Sequence, residues 1–423
     1  MGGHSPIPER ILGSCSAGFL TGVHHTGYDT GATSEDTMAS FHAVIIGGGG
    51  TGAAVAHDLT LRGYKVTLVE RGEVTSGTTG RHHGLLHSGA RYAVKDKESA
   101  VECIEENMIL RRIAPGSFEL NDGLFIALTE EEAAYSSEFI EACHDCGIPA
   151  RRLTAKEVLA REPNVNPNVI MGVQVPDATM DAMRMPLRFF ATAKHNGATI
   201  KTYTEVVDFI KRGNAVSAIR VRDHTTNKEY EIGGDIFISA AGAWSGKVGD
   251  MVGVEVPIRP SPGVMLAVRG RLCNMVVNRL HASGDGDIIV PQRALSVIGT
   301  SSWVVENPDN LGLPQDHIDM MVKYGSELVP AVRTAPFRAA WSAARPLIGP
   351  RGADTGRELS RTFKCFDHID EGVEGFVTIT GGKATTLRGM AETTANVVCK
   401  KMGIDMGCAT RESVLLPHTA YYV

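Results

Sequence analysis

The chain has 423 residues, of which 43% are hydrophobic, and a formal charge of -6 at pH 7. That length can bury one large core or two joined ones, and the net negative charge excludes a general attraction to nucleic acid, so any anion site must be a local cluster of Arg and Lys. No segment approaches the roughly 18 uninterrupted apolar residues of a membrane span, and the eight scattered cysteines suit reduced thiols of a cytoplasm better than a disulfide framework.

Residues 1–40 mix Gly, Pro, Ser, Thr and His with no sustained apolar period and read as a disordered extension. Met38, just before the first strand, is where an ordered chain of this kind would naturally begin. From Phe41 to Glu70 the pattern is regular. FHAVII reads as a strand, Gly47-Gly48-Gly49-Gly50-Thr51-Gly52 as a tight turn, Ala53 to Gly63 as a helix and Tyr64 to Val69 as a second strand ending at Glu70. This is a dinucleotide-binding fingerprint with its strand, turn, helix and acid all in place. Gly47 permits the turn, Gly49 the approach of a pyrophosphate, and Gly52 close helix–strand packing. The helix N-terminus offers free N–H groups, and Glu70 would accept hydrogen bonds from a ribose.

Arg71 to Tyr92, RGEVTSGTTGRHHGLLHSGARY, is too polar and too rich in Gly for a buried element. A loop of this length after the second strand can wrap a pyrophosphate and reach the isoalloxazine of a flavin, which points to Arg71, Thr79, Gly80, His83, Gly84 and Leu85 as cofactor contacts. Cys143-His144-Asp145-Cys146 lacks a second pair at zinc spacing and reads as the surface of an amphipathic helix, and the histidines of the cofactor loop give no metal pattern either; no metal is expected. Gly234 to Trp244 reads as a strand ending in the small residues Ala241 and Gly242. Phe376 to Arg388 is a strand, a Gly-Gly turn and a helix running to Met402. Its start at Gly382, Lys383, Ala384 and Thr385 can aim N–H groups at the N1–C2=O edge of a reduced flavin. Between these pieces, Pro257 to Val305 carries apolar runs such as Ile288-Ile289-Val290 that suggest an antiparallel sheet.

The expected fold class is therefore α/β: a discontinuous Rossmann-like FAD domain with a mixed or antiparallel β-sheet substrate domain. The FAD domain takes 41–125, 197–250 (with Val206 at the cofactor) and 345–405. The substrate domain takes 126–196 and 251–344, leaving 1–40 as the extension and 406–423 as a tail.

Four further segments, GRHHGLLHSGARYA at Gly80–Ala93, DIIVP at Asp287–Pro291, ARPL at Ala344–Leu347 and TGGKATT at Thr380–Thr386, resemble the FAD-dependent glycerol-3-phosphate dehydrogenases of the D-amino-acid-oxidase superfamily, and most of all the catalytic subunits of the anaerobic enzyme. The resemblance runs from about His42 to Met402. It implies oxidation of glycerol 3-phosphate to dihydroxyacetone phosphate by hydride transfer to flavin N5, with Arg91, Tyr92, Arg345, Arg361 and Lys383 around the substrate. Such a cluster fits the charge of a phosphate, Arg as a fork and Lys as a point charge. For the proton, Asp287 is one acceptor; the other arrangement has Arg345 holding the alkoxide while water or His83 takes the proton. A covalent link of FAD to His83 or His87 is left open, non-covalent binding being expected.

Larger relatives continue into a cysteine-bearing segment. Here only Cys399 and Cys408 lie near the end of the sequence, so electrons are expected to leave directly to a quinone at the membrane surface or to partner subunits. The corresponding location is the cytoplasm, with peripheral attachment to the inner face of the cell membrane. Oligomeric state is not fixed by the sequence. Two other readings stand beside this one: a 2-hydroxyglutarate-type dehydrogenase, which would lack the Arg of GARY, and a non-catalytic flavin relay protein, which would need no phosphate clamp.

Overall fold

The computed structural model describes residues 41–282, 284, 286–349 and 361–423; the expected extension 1–40 lies outside them. The strand β1, His42–Ile46, is short and almost wholly apolar, as expected of a strand covered on both faces. Its alternation is legible in three dimensions. Ala43 and Ile45 face one core, while Val44 and Ile46 face another. The helix α1, Gly50–Leu61, follows the turn and leads to β2, Lys65–Val69, which returns parallel to β1.

These elements nucleate a six-stranded sheet. Its order is Phe363–Asp367, Phe376–Gly381, Ile236–Ser239, β1, β2 and Thr199–Lys201, parallel except for the antiparallel strand Phe363–Asp367. On one face, α1 packs against the helices Arg184–His195 and Leu387–Met402. The other face is covered by a three-stranded meander, Thr204–Arg212, Ala215–Asp223 and Lys228–Gly233.

The second layer is an eight-stranded sheet. In order it holds Phe337–Ile348, Ile258–Arg269, Leu295–Gly299, Ile288–Gln292, Val276–Arg279, Gly123–Ala127, Met171–Val175 and Arg151–Thr154. It is mixed, since Val276–Arg279 runs parallel to Gly123–Ala127. One face packs on the helices Ala155–Arg161 and Gln315–Leu328 through Leu124, Val158, Val277, Ile289 and Met321. The opposite face, with Met265 and Ile288, looks into the large cavity. The boundaries drawn from sequence at 125/126 and 344/345 fall inside strands of this sheet, Gly123–Ala127 and Phe337–Ile348. Composition does not change where the chain crosses from one layer to the other. The Cys143-to-Cys146 segment differs from expectation too. It closes the helix Glu130–Asp145, yet both thiols are buried in an apolar cluster rather than on the surface.

A buried ion pair ties the layers of helices together. Arg388, fully buried at the start of Leu387–Met402, donates through Nε to Glu106 Oε2 at 2.8 Å and through Nη2 to the other carboxylate oxygen. Glu106 belongs to the helix Lys97–Ile113, which follows directly on the Arg91–Tyr92 turn. Removing Glu106 leaves the buried guanidinium with Glu392 at 2.7 Å, and breaking such a buried pair typically costs about 3–5 kcal/mol. We expect Glu106→Ala to lose about 3 kcal/mol of stability in urea unfolding, with much of it recovered in Glu106→Met/Arg388→Met. A loss below about 1 kcal/mol would show that the pair is not what holds these helices.

Candidate active site

The two sheets enclose one cavity of about 1560 Å³. That exceeds the usual range of roughly 300–1000 Å³ for a small-molecule site and leaves room for a dinucleotide together with a small substrate. At one end is the glycine turn. Gly47 has a positive φ of 113°, and a Cβ there would stand 2.6 Å from Ala240 O; a Cβ on Gly52 would overlap Gly47 O. Only glycine allows β1, α1 and the strand Ile236–Ser239 to converge this closely. Gly49 and Gly50 face the cavity, and Thr79 Oγ1 receives the Gly50 N–H at 3.0 Å, which pins the polar loop over the turn. Glu70, at the end of β2, lines the cavity while its carboxylate accepts Gly48 N–H at 2.7 Å and Gly72 N–H at 2.8 Å. These bonds fix the orientation of the Glu70 carboxylate at the cavity wall.

The loop that follows is short turns rather than regular structure: 3₁₀ turns at Thr79–Arg81 and Ala90–Tyr92 flank the two-residue strand Leu85–Leu86. It carries His82, His83, His87, Arg91 and Tyr92 to the cavity wall. Burial first, then the charges of His82, Arg91 and Arg345, pushes His83 down to about 3; burial takes His82 to about 4. His87 lies well below its ordinary value, by burial and by His83, Arg91 and Lys383. All three rings are half-exposed only because they face the cavity; protein surrounds them, and burial governs their charge. Backbone N–H groups fix the tautomer of two of them. His82 Nδ1 accepts Gly84 N–H at 2.9 Å and His83 Nδ1 accepts Leu85 N–H at 3.2 Å, so each neutral ring carries its proton on Nε2. The His87 ring, 5.5 Å from Tyr92 and 6.0 Å from His83, makes no ring-nitrogen hydrogen bond among the described residues.

The cations come from separate parts of the chain. Arg91 Nη2 donates to Asp287 Oδ1 at 2.5 Å and to Gly284 O at 2.8 Å. Arg345, on the long edge strand Phe337–Ile348, is held by Thr300 Oγ1 at 2.7 Å and Ser301 O at 2.9 Å. Lys383 lies over the Tyr92 ring at 5.2 Å, donates to Arg361 O at 2.8 Å and stands 3.5 Å from Glu102. Arg361 lines the same wall, its backbone N–H bonded to Asp96.

Of the residues singled out from sequence, Gly47, Gly49, Glu70, Arg71, Thr79, His83, Leu85, Arg91, Tyr92, Val206, Ala241, Gly242, Arg345, Arg361, Gly382, Lys383 and Ala384 line this cavity. Gly52, Gly80, Gly84, Thr385 and Asp287 stand behind its wall. Gly80 packs on Thr75 O and Gly84 on Met180 O, Thr385 Oγ1 accepts the His87 N–H at 3.0 Å, and the carboxylate of Asp287 is turned to Arg91 and Gly284 N–H. Asp287 is 3% exposed, and its carboxylate is engaged by Arg91 and Gly284 N–H rather than open to the cavity. Sequence reading considered His87 only for a covalent link to FAD and did not count it among the substrate or proton-transfer residues, although HSGARY places it four residues before Arg91. It also missed Trp244, Lys247 and the segment 308–312, all on the cavity wall, because they reach the site across long sequence distances.

The residues present fit a flavin dinucleotide: a turn only glycine can make, a ribose-directed acid, and a polar loop continuing from the pyrophosphate position to a cationic pocket. No helix among the described residues is long and apolar enough to cross a membrane. Comparison with known proteins agrees. The sequence is 41% identical over 384 residues to the A1 subunit of the anaerobic glycerol-3-phosphate dehydrogenase of Haloferax volcanii, covering 88% of this chain and 66% of that protein. It is 40% identical to the corresponding subunit of the Escherichia coli enzyme, covering 90% and 71%; the chain thus spans about two thirds of these relatives. In fold it resembles the glycerol-3-phosphate dehydrogenase of Bacillus halodurans complexed with FAD, at a TM-score of 0.69 and 22% identity over 90% of this chain and 68% of that one. A similar likeness links it to the L-α-glycerophosphate oxidase of Mycoplasma pneumoniae with FAD bound, TM-score 0.70 and 19% identity over 88% and 97%. With residues 42–396 matching the family as a whole, the chain belongs to the FAD dependent oxidoreductases and, within them, to the family formed by these subunits of anaerobic glycerol-3-phosphate dehydrogenase.

Proposed function

We propose that this chain oxidises sn-glycerol 3-phosphate to dihydroxyacetone phosphate and passes the electrons to partner subunits or a quinone. The observation that carries the reading is that Arg91, Arg345, Arg361 and Lys383 meet on the wall of the cavity that holds the glycine turn. FAD supplies the hydride acceptor, at N5. The chain supplies the rest. Arg91, held in a fixed orientation by Asp287, and Lys383 at the end of the Gly381–Gly382 turn receive the phosphate, Arg with a fork and Lys with a point charge. Arg345, whose guanidinium is steered by Thr300 and Ser301, stabilises the C2 oxygen as its proton leaves.

The proton acceptor best placed by its hydrogen bonding is His87. Its neutral ring has a lone pair free, whereas His83 presents Nε2–H and is a donor to the substrate oxygen. As the C2 hydrogen leaves with its electron pair, the hydroxyl proton passes to His87, and the products are a ketone and a protonated imidazole. The relatives are each named as one subunit of a larger enzyme, which supports partner subunits that take the electrons onward. Peripheral attachment to a membrane surface would bring the site to a quinone.

Two experiments separate these roles. Arg91→Ala should lower kcat/KM for glycerol 3-phosphate about a hundredfold, the effect of roughly 2–3 kcal/mol in a lost charge-assisted bond, and leave the slow reaction with glycerol unchanged. Equal loss on both would mean that Arg91 supports the fold or the flavin. For the proton, His87→Gln should reduce kcat by about 10²–10⁴, while Asp287→Asn should raise KM and keep kcat within about threefold, because it loosens Arg91 without touching the reacting carbon. The reverse pattern, with a collapsed kcat and an altered kcat pH profile in Asp287→Asn, would restore Asp287 as the base.

A further inference from the structure

Residues 300–314 connect the strand Leu295–Gly299 of the substrate sheet to the helix Gln315–Leu328, and they do not take a short route. The segment first runs along Ile258–Arg269, with Trp303 N–H on Pro262 O at 3.2 Å and Val305 N–H on Pro260 O at 3.0 Å. It then crosses to the dinucleotide layer, where Pro308 to Gly312 become part of the cavity wall. Ser342 Oγ, donating to Gly312 O at 2.8 Å, brings it back to the substrate sheet.

The crossing is fastened at one residue. Asp309 Oδ1 accepts from Arg71 Nη2 and from Trp244 Nε1, both at 2.7 Å, and Oδ2 accepts from Lys247 Nζ at 2.5 Å. All three donors belong to the dinucleotide layer: Arg71 follows Glu70, and Trp244 and Lys247 follow the strand Ile236–Ser239. The donors are themselves arranged, since the Arg71 guanidinium lies 4.6 Å over the Trp244 ring. Lys247 also donates to Asn307 Oδ1 at 2.9 Å, and that same oxygen accepts the Asp309 N–H at 3.0 Å. Partial burial works against the charge of Asp309, yet the bonds from Lys247, Arg71 and Trp244 hold its carboxyl down to about 2. The carboxylate therefore stays charged throughout the range in which the protein works.

We propose that residues 306–312 form a strap that closes over the ribose side of the bound dinucleotide, and that the Asp309 cluster is the latch whose opening admits and releases FAD. The cavity wall beside the latch includes Glu70 and Arg71 at the end of β2, Thr204, whose N–H donates to Glu70 O at 2.7 Å, and Val248, which follows Lys247; this is where the ribose-directed acid sits. The inference concerns cofactor retention and does not rest on the identity of the substrate. The latch is 37–44% exposed at its charged side chains, so salt reaches it and weakens it. A neutral strap would not respond in this way.

The test is the rate of FAD release from the holoprotein, followed by recovery of flavin fluorescence after dilution, at low and at high sodium chloride. Asp309→Asn should release FAD about tenfold faster at low salt, equivalent to roughly 1.4 kcal/mol, and should lose most of the salt dependence seen in the parent protein. Lys247→Met breaks the latch from the other side with Asp309 intact and should shift release in the same direction. Release at the parent rate in both variants, or an undiminished salt dependence in Asp309→Asn, would overturn the proposal. Should either variant purify without flavin, its rate of rebinding added FAD serves instead: a faster on-rate than the parent apoprotein supports the strap, and an equal one refutes it.

Discussion

Everything in this molecule depends on one crowded crossing. β1, α1 and the strand Ile236–Ser239 meet where Gly47 stands against Ala240 O and Gly52 against Gly47 O. A side chain at either position would push the layers apart by more than a packed interior can absorb. Because the backbone fits, the first turn of α1 faces open space rather than its own sheet, with Thr79 Oγ1 taking the Gly50 N–H and the positive end of the helix turned to the cavity. The cavity begins at this point. The strand Phe376–Gly381, its Gly-Gly turn and the helix behind it then close the far side of the same space.

The chemistry at the other end is a matter of charge balance. Arg91 is not an isolated cation, since Asp287 and Gly284 O hold it, and Lys383 shares its charge with Glu102. Cations fixed by protein partners keep their donors oriented, so the cavity presents a prepared set of donors rather than flexible side chains. The three histidines are kept neutral by the same burial, and backbone N–H groups at Gly84 and Leu85 decide which nitrogen of His82 and His83 carries the proton. The site thus combines fixed positive charge with neutral imidazoles on one cavity wall.

Much of this was legible in the sequence, for reasons that can be stated residue by residue. FHAVII followed by glycines and Glu70 encodes its geometry locally, and both strands stand close to where the pattern put them, though the helix begins at Gly50, inside the expected glycine turn, rather than at Ala53. The strand Ile236–Ser239 and the turn before Leu387–Met402 were readable for the same reason. What the sequence did not reveal is long-range. Nothing local says that Asp287 turns to Arg91, 196 positions away, rather than to the substrate. Likewise, Asn307-Pro308-Asp309 looks like any polar turn until Arg71, Trp244 and Lys247 are brought to it. The expected boundary at 125/126 cuts the strand Gly123–Ala127 because an apolar strand looks alike in either sheet.

The most direct test of the central claim is anaerobic mixing of the purified holoprotein with sn-glycerol 3-phosphate while the oxidised flavin band is followed. The account predicts full bleaching at stoichiometric substrate with formation of dihydroxyacetone phosphate, and little bleaching by 2-hydroxyglutarate. Bleaching by 2-hydroxyglutarate in preference to glycerol 3-phosphate, or by neither, would contradict it.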